Sequence, residues 1–368
     1  MHDVIVVGGG IVGVSTAYQL VRSGADVVMI DRRDKGRATD AGAGIITSGS
    51  DPNHTDPYYR FVGQAEVHYR ELISALEADG CDETGYGVCG SLWVAVDERE
   101  GAEFQRSTVG IPEGDGRSGM AVVSADRARE IFPPLDQVTG ALFSPDTARV
   151  DGRLLSTGID RAARDRGLKV EEASVSAVSV GDEVTVTAKS GEFRAKHLVI
   201  AGGAWSDAFS DQLDVRIPVR PQRGQIVHLD VGEVDTSDWP IVTGMTEHYM
   251  VSWPDRRVVV GATREASAGF NPVTTVEGLM EVMYEAVRVA PGLRTASIRE
   301  IRVGLRPLSA DGMPVVGTLP GYSNVHVVTG HGPMGLHLGP FSGKLTADAI
   351  QTGSWPDWMM AFGAERFM

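Results

Sequence analysis

Apolar residues recur along this chain in three ways, and each predicts a different kind of element. Short unbroken apolar runs read as strands buried on both faces: residues 3–7, 27–30, 198–200 and 325–328. Apolar positions three and four apart read as helices burying one side. They cover residues 11–23, ended by Gly24; 59–79, ended by Gly80; 152–166, capped by Asp151; and a last helix reaching about residue 350. Another such helix carries Leu279, Met280, Val282, Met283, Ala286 and Val287. Thr274 and Glu277 form its capping box, and Pro291-Gly292 stops it. Ser124 caps a short helix that stops before Pro133-Pro134. Shorter β-type runs fill the gaps: residues 92–96, 141–143, 175–180, 184–187, 224–229, 249–253, 258–262 and 301–305. Residues 97–120 read as a short helix and a surface loop, and 32–50 as a loop of small residues.

Taken in order, strand 3–7, helix 11–23 and strand 27–30 form a βαβ unit. Its first turn is Gly8-Gly9-Gly10-Ile11-Val12-Gly13, and Asp31 stands at the tip of the second strand. This is the dinucleotide fingerprint in its proper context. Gly8 permits the tight turn, Gly10 lets a pyrophosphate approach the backbone, and Gly13 lets the helix pack on the strand. Amides at the helix start meet phosphate, and Asp31 meets a ribose. The small-residue stretch 36–44 follows at once and suits close approach to a flat ligand. Dinucleotide-type segments lie at the start, middle and end of the chain, with antiparallel-type segments between them. The expected fold is therefore α/β: a Rossmann-like binding domain (1–80, 146–217 and 301–368) interleaved with an α+β substrate domain on an antiparallel sheet (81–145 and 218–300).

The chain has 368 residues, 42% of them hydrophobic, enough for a large α/β unit with a substantial core. Its formal charge of −15 makes nucleic acid and anionic membranes poor partners. Of 34 lysines and arginines, five are lysine. An acidic, lysine-poor surface suits salt adaptation, and a GC-rich genome produces the same exchange, so both readings stay open. Two cysteines, Cys81 and Cys89, are no disulfide framework, and reduced thiols in a cytoplasmic protein are expected. No signal-type segment or membrane-length apolar run appears. Peripheral docking at a membrane and oligomerisation stay open. The nine histidines show no metal-ligand spacing, and no Ser/His/Asp constellation stands out.

The chain resembles the FAD-dependent amino-acid oxidoreductases of the D-amino-acid oxidase type, within them most of all glycine oxidase and bacterial D-amino-acid dehydrogenases. The carriers are 6–13, Asp31, the loop with Thr39 and Gly44, 201–206, 330–335 and, most specific, 304–317 (GLRPLSADGMPVVG). The resemblance implies non-covalent FAD, because neither cysteine is near the C-terminus and no histidine lies between 31 and 50. It implies Gly8, Gly10, Ile11 and Gly13 at the pyrophosphate, Asp31 at the adenosine ribose and Arg32 beside the adenine. Thr39, Asp40, Gly44 and Ile45 run along the ribityl chain and flavin, and Val175 contacts the adenine side. Gly203 and Trp205, in the small-residue turn at the sheet, are likewise cofactor-binding in this resemblance. Gly330, His331, Gly332, Met334, Gly335 and Leu336 lie against the flavin pyrimidine, under a helix N-terminus that stabilises reduced-flavin charge.

The activity so implied is oxidation of a D-amino acid or glycine by hydride transfer from Cα to flavin N5. The imino acid then hydrolyses to a 2-oxo acid and ammonia. Arg306 binds the substrate carboxylate; as an alternative it is tied to a carboxylate such as Asp311. It closes the run 301–305, and Pro307 breaks that strand. Tyr249 contacts substrate or is a plain sheet tyrosine. His331 contacts flavin or caps the last helix. His248 and Trp253 read as exposed-strand and core residues. Three alternatives remain: an N-methylated amino acid such as sarcosine, a 2-hydroxy acid, or a flavin-bearing subunit that relays electrons. Oxygen or a quinone or dye re-oxidises the flavin.

Overall fold

The computed structural model describes residues 1–47, 49–117 and 119–368. Its first sheet is built from the unbroken apolar runs. His2–Val7 lies parallel between Val27–Ile30 and Gly191–Ile200. Lys169–Glu171 extends the sheet beyond Val27–Ile30, and Val325–Thr329 joins Gly191–Ile200. Val175–Val180 and Val184–Ala188 run antiparallel into Gly191–Ile200, and Val315–Thr318 folds back on Val325–Thr329.

Side chains alternate across this sheet. Val4, Val6, Val27, Met29, Val199 and Val328 meet the helices Ile11–Arg22, Pro57–Ala78, Gly152–Asp165 and Gly335–Thr352. Ile5, Val28, Ile30, Leu198, Ile200 and Val327 face the other way, onto Phe209, Leu213 and Ile217. Both faces are covered, which is why these strands read as runs and not as alternation. Glycine allows the last helix to approach the first: a Cβ on Gly343 would stand 2.6 Å from the Thr16 nitrogen.

The second sheet runs in the order Ser297–Ser309, Val219–Asp230, Arg257–Gly261, Tyr249–Trp253, Ile241–Gly244, Ser91–Ala95, Gly140–Ser144, Ala121–Val122. Ile241–Gly244 and Ser91–Ala95 are parallel; the other neighbours are antiparallel. Helix Val276–Val289 packs Val282, Ala286 and Val289 onto it. A small third sheet, Ile45–Ile46 with Ala148–Arg149 and Gly87–Val88, ties the small-residue loop to the body. Both cysteines are free.

Four expectations change. Arg306 does not end its strand: Ser297–Ser309 continues through Pro307, which faces Pro221 across the register. The strand is at the sheet edge, where a missing N–H is tolerated. Residues 301–309 therefore pair in the second sheet, not with the dinucleotide segments. Helix Val276–Val289 is capped by Thr275, not Thr274; the Thr275 hydroxyl accepts from the Gly278 amide at 3.2 Å. The loop 32–50 contains a helical turn, Ala38–Ala41, and the strand Ile45–Ile46.

Three buried histidines set an acid limit on stability. Burial holds His228 at about 3 and His326 and His331 at about 4, against a usual 6.5. As pH falls below 6.5 the unfolded chain takes up protons that the folded chain refuses. Their stability is thus complete above about 6.5 and is lost toward 4. At pH 5 each site costs about 2 kcal/mol. Urea titrations at pH 7 and pH 5 should show the midpoint fall; a flat midpoint would contradict these assignments.

Candidate active site

The parallel strands of the first sheet end together, and a ligand crevice is expected there. Gly8 follows the first strand at φ +105°, and a Cβ on it would lie 2.3 Å from the Ala201 carbonyl oxygen. Helix Ile11–Arg22 starts immediately after. A Cβ on Gly13 would stand 1.9 Å from the Gly8 oxygen, so only glycine lets the helix seat there. The Ile11 amide donates to Thr39 Oγ1 at 2.9 Å. The next first-turn amides have no acceptor within the helix, and they sit at its positive end. This is a cradle for phosphate.

A cavity of about 620 Å³ opens over this cradle, within the about 300–1,000 Å³ usual for cofactor and substrate sites. From the first sheet and its loops it takes Gly8, Gly10, Ile11, Asp31, Arg32, Thr39, Gly44, Ile45, Val175, Gly203 and Trp205. From the last helix and the turn before it come His331, Gly332, Met334, Gly335 and Leu336. The second sheet adds Tyr249 and Arg306. Nearly all the residues singled out in the sequence are thus brought together.

Three are not at the cavity wall. Gly13 is behind it, against Gly8. Gly330 makes a turn at φ +74°, tight against Val315 and Ser309. Asp40 turns outward on the helical turn Ala38–Ala41, and its carboxylate takes Arg37 Nε at 3.0 Å. Arg37 also reaches Asp31 Oδ2 at 3.2 Å, so it braces the carboxylate at the strand tip from a loop without periodicity. Arg32 pairs with Asp34 at 2.5 Å and lies 5.9 Å from the Trp205 ring. Cradle glycines, first-turn amides and a carboxylate at the second strand tip fit the dinucleotide that the fingerprint calls for, and so the FAD that the resemblance implies.

Arg306 lies against its neighbouring strand at Gly224, where a Cβ would meet Nη1 and Nη2 at 2.5 Å. Nη1 donates to the Thr263 carbonyl oxygen at 2.9 Å. Among the described residues it has no ion-pair partner: Asp311 is held by Arg366 at 2.7 Å, and nearby Glu265 by Arg223. Burial depresses the Arg306 pKa, and the neighbouring Tyr249 hydroxyl opposes this. Burial likewise raises the Tyr249 phenol, which is protonated at neutral pH and free to donate. A guanidinium charge with no carboxylate, beside a phenol, points to an anionic ligand group.

His331 is fully buried, and its Nε2 lies 2.8 Å from Ser342 Oγ, whose own hydroxyl donates to the Leu338 carbonyl. Burial keeps the ring neutral at pH 7, and its bond to Ser342 ties the turn before the last helix to that helix. His248 pairs with Glu281, and Trp253 is in the core under Arg257. No group of described residues could hold a metal ion. Among the lining residues that escaped the sequence reading are Arg264 and Glu247, which pair at 3.1 Å.

The fold has known counterparts. The family model for FAD-dependent oxidoreductases of the DAO type matches residues 3–349. The oxidoreductase YurR of Bacillus subtilis is 34% identical over 357 residues, covering 95% of both chains. Glycine oxidase of Bacillus licheniformis is 28% identical over 374 residues, covering 99% of this chain and 97% of its own. The crystal structure of iminodiacetate oxidase from Chelativorans sp. BNC1 superposes with a TM-score of 0.87 at 34% identity, covering 98% of both chains. With the family match, the fingerprint and the interleaved sheets, this chain belongs to the DAO family of FAD-dependent oxidoreductases.

Proposed function

We propose that this enzyme oxidises a small α-amino acid, of the D-amino-acid or glycine type, at its Cα–N bond. The observation that carries the reading is Arg306, charged, without a carboxylate partner and beside Tyr249, in the same cavity as the phosphate cradle. Arg306 holds the substrate carboxylate through two N–H groups, and the Tyr249 O–H donates to it. Fixing the carboxylate fixes the direction of Cα–H. Bound FAD supplies the acceptor for the α-hydrogen and its electron pair. Met334, Gly335 and Leu336 bring a helix N-terminus to the cavity, where negative charge is favoured. The amine enters neutral, so no protein base is needed, and the imino acid leaves to hydrolyse to a 2-oxo acid and ammonia.

A second reading, an N-substituted amino acid, is favoured by the 34% identity to iminodiacetate oxidase. Oxygen or a quinone serves as the final acceptor. The FAD is held without a covalent bond. No helix among the described residues is long and apolar enough to cross a membrane.

The purified protein should be yellow, and acid or heat should release its FAD into the supernatant. Flavin that precipitates with the chain would reject non-covalent binding. Under anaerobic conditions the flavin should bleach with a D-amino acid, glycine, sarcosine or iminodiacetate. Bleaching by 2-hydroxy acids alone would move the substrate class. No bleaching by any amine or hydroxy acid would leave an electron-relay subunit.

A further inference from the structure

Arg264 lies in a segment whose neighbours are locked. The Thr263 hydroxyl accepts from the Gln225 amide at 3.0 Å and donates to Glu265 Oε1 at 2.7 Å. Glu265 also takes Gln225 Nε2 at 2.7 Å and Arg223 Nε at 3.0 Å. The Thr263 carbonyl receives Arg306. Side chains alternate along extended backbone, so with 263 and 265 turned to this network, Arg264 is left on the cavity side. It lines the same cavity as Arg306 and Tyr249 and acts electrostatically on both.

Four arginines line the cavity: Arg32 pairs with Asp34, Arg37 pairs with Asp31 and Asp40, and the other two guanidinium groups are Arg306 and Arg264. A single substrate carboxylate would neutralise only Arg306. The partner of Arg264 is Glu247, whose side chain is 77% exposed, and Arg264 itself is 42% exposed. Exposed pairs of this kind hold weakly and exchange readily. The arrangement is a cationic arm with a replaceable counterion.

We propose that Arg264 binds a second carboxylate, and that the substrate is an amino acid bearing two: one on Arg306, one on Arg264. This rests on the reading that Arg306 holds the α-carboxylate. The second carboxylate comes either from an acidic side chain or from a carboxymethyl group on nitrogen.

The test uses the FAD-loaded enzyme and two probes that cannot be oxidised: diglycolate, with two carboxylates, and methoxyacetate, with one. Each is titrated against the flavin absorbance. Diglycolate should bind at least about tenfold tighter, as expected for one added charge-assisted contact. Arg264→Met should weaken diglycolate by roughly 10- to 150-fold, and by at least about tenfold more than it weakens methoxyacetate. Glu247→Gln should tighten diglycolate, since a competing carboxylate is gone. In turnover, the same selective loss of kcat/KM on iminodiacetate or on D-aspartate identifies which source supplies the second carboxylate. Equal affinity of the wild-type enzyme for the two probes, or an equal loss of both in Arg264→Met, overturns the proposal while leaving the Arg306 reading standing. Binding of neither probe, with no substrate bleaching the flavin, overturns both.

Discussion

Arg306→Ala should lower kcat/KM for the amino-acid substrate by roughly 30-fold to several thousand-fold, from the about 2–5 kcal/mol cost of removing one partner of a buried charge pair. The reasons are geometric. The guanidinium is fixed by the Thr263 carbonyl, rests over Gly224 of the neighbouring strand, and lacks a protein carboxylate. Its planar fork gives a carboxylate two parallel hydrogen bonds, which set orientation as well as affinity. Arg306→Lys should recover only part of the loss, because a point charge does not reproduce the fork. FAD content and melting temperature should change little, since removing a cation that has no ion-pair partner breaks no ion pair. Loss of FAD or unfolding with an unchanged KM would show instead that Arg306 is structural and that the carboxylate binds elsewhere.

The second large effect is expected at Gly13. In Gly13→Ala the new methyl would lie 1.9 Å from the Gly8 carbonyl oxygen, a backbone atom that cannot swing aside. The helix must lift from the strand, carrying its first-turn amides away from the phosphate position. Overpacking of this kind costs about 1–3 kcal/mol, or roughly 5- to 150-fold in FAD affinity if the strain falls on the bound state. The variant should purify pale and regain colour with added FAD. Gly87→Ala is the control, because a Cβ there meets nothing within 4 Å. A Gly13→Ala protein that retains its full complement of FAD would show that the helix start does not hold the pyrophosphate.

The cofactor half of this molecule was largely legible in the sequence, for a local reason. Gly8 to Gly13 and Asp31 belong to one contiguous βαβ unit, so spacing alone carries the geometry. Apolar runs gave the parallel strands for the same reason, since burial on both faces leaves its mark within five residues. The substrate half was less legible because its neighbours are made by pairing across the second sheet. Arg264 and Glu247 meet only after Tyr249–Trp253 and Arg257–Gly261 are aligned. A signal for Arg264 did exist: Thr263 and Glu265 flank it, and polar residues two apart at a strand end imply that the residue between them faces the opposite side. Arg37 gave no such signal, as its role depends on the turn Ala38–Ala41 inside a stretch that reads as loop. Pro307 misled because proline was taken as the end of a strand, whereas at an edge it takes nothing from the ladder.

That edge strand has a wider consequence. An edge strand of thirteen residues would ordinarily invite a strand from another molecule to add on. Two features stand against this. Pro307 offers no donor, and at Leu305 the rim is already occupied: its amide donates to the Gly36 carbonyl at 2.8 Å, while Gly304 lies under Ala38 and Ala41. The covering segment is the same small-residue loop that borders the cavity. Bordering the cavity and covering the sheet edge are thus two duties of one stretch of chain, and a substitution that loosens it should show in aggregation as well as in the shape of the cavity.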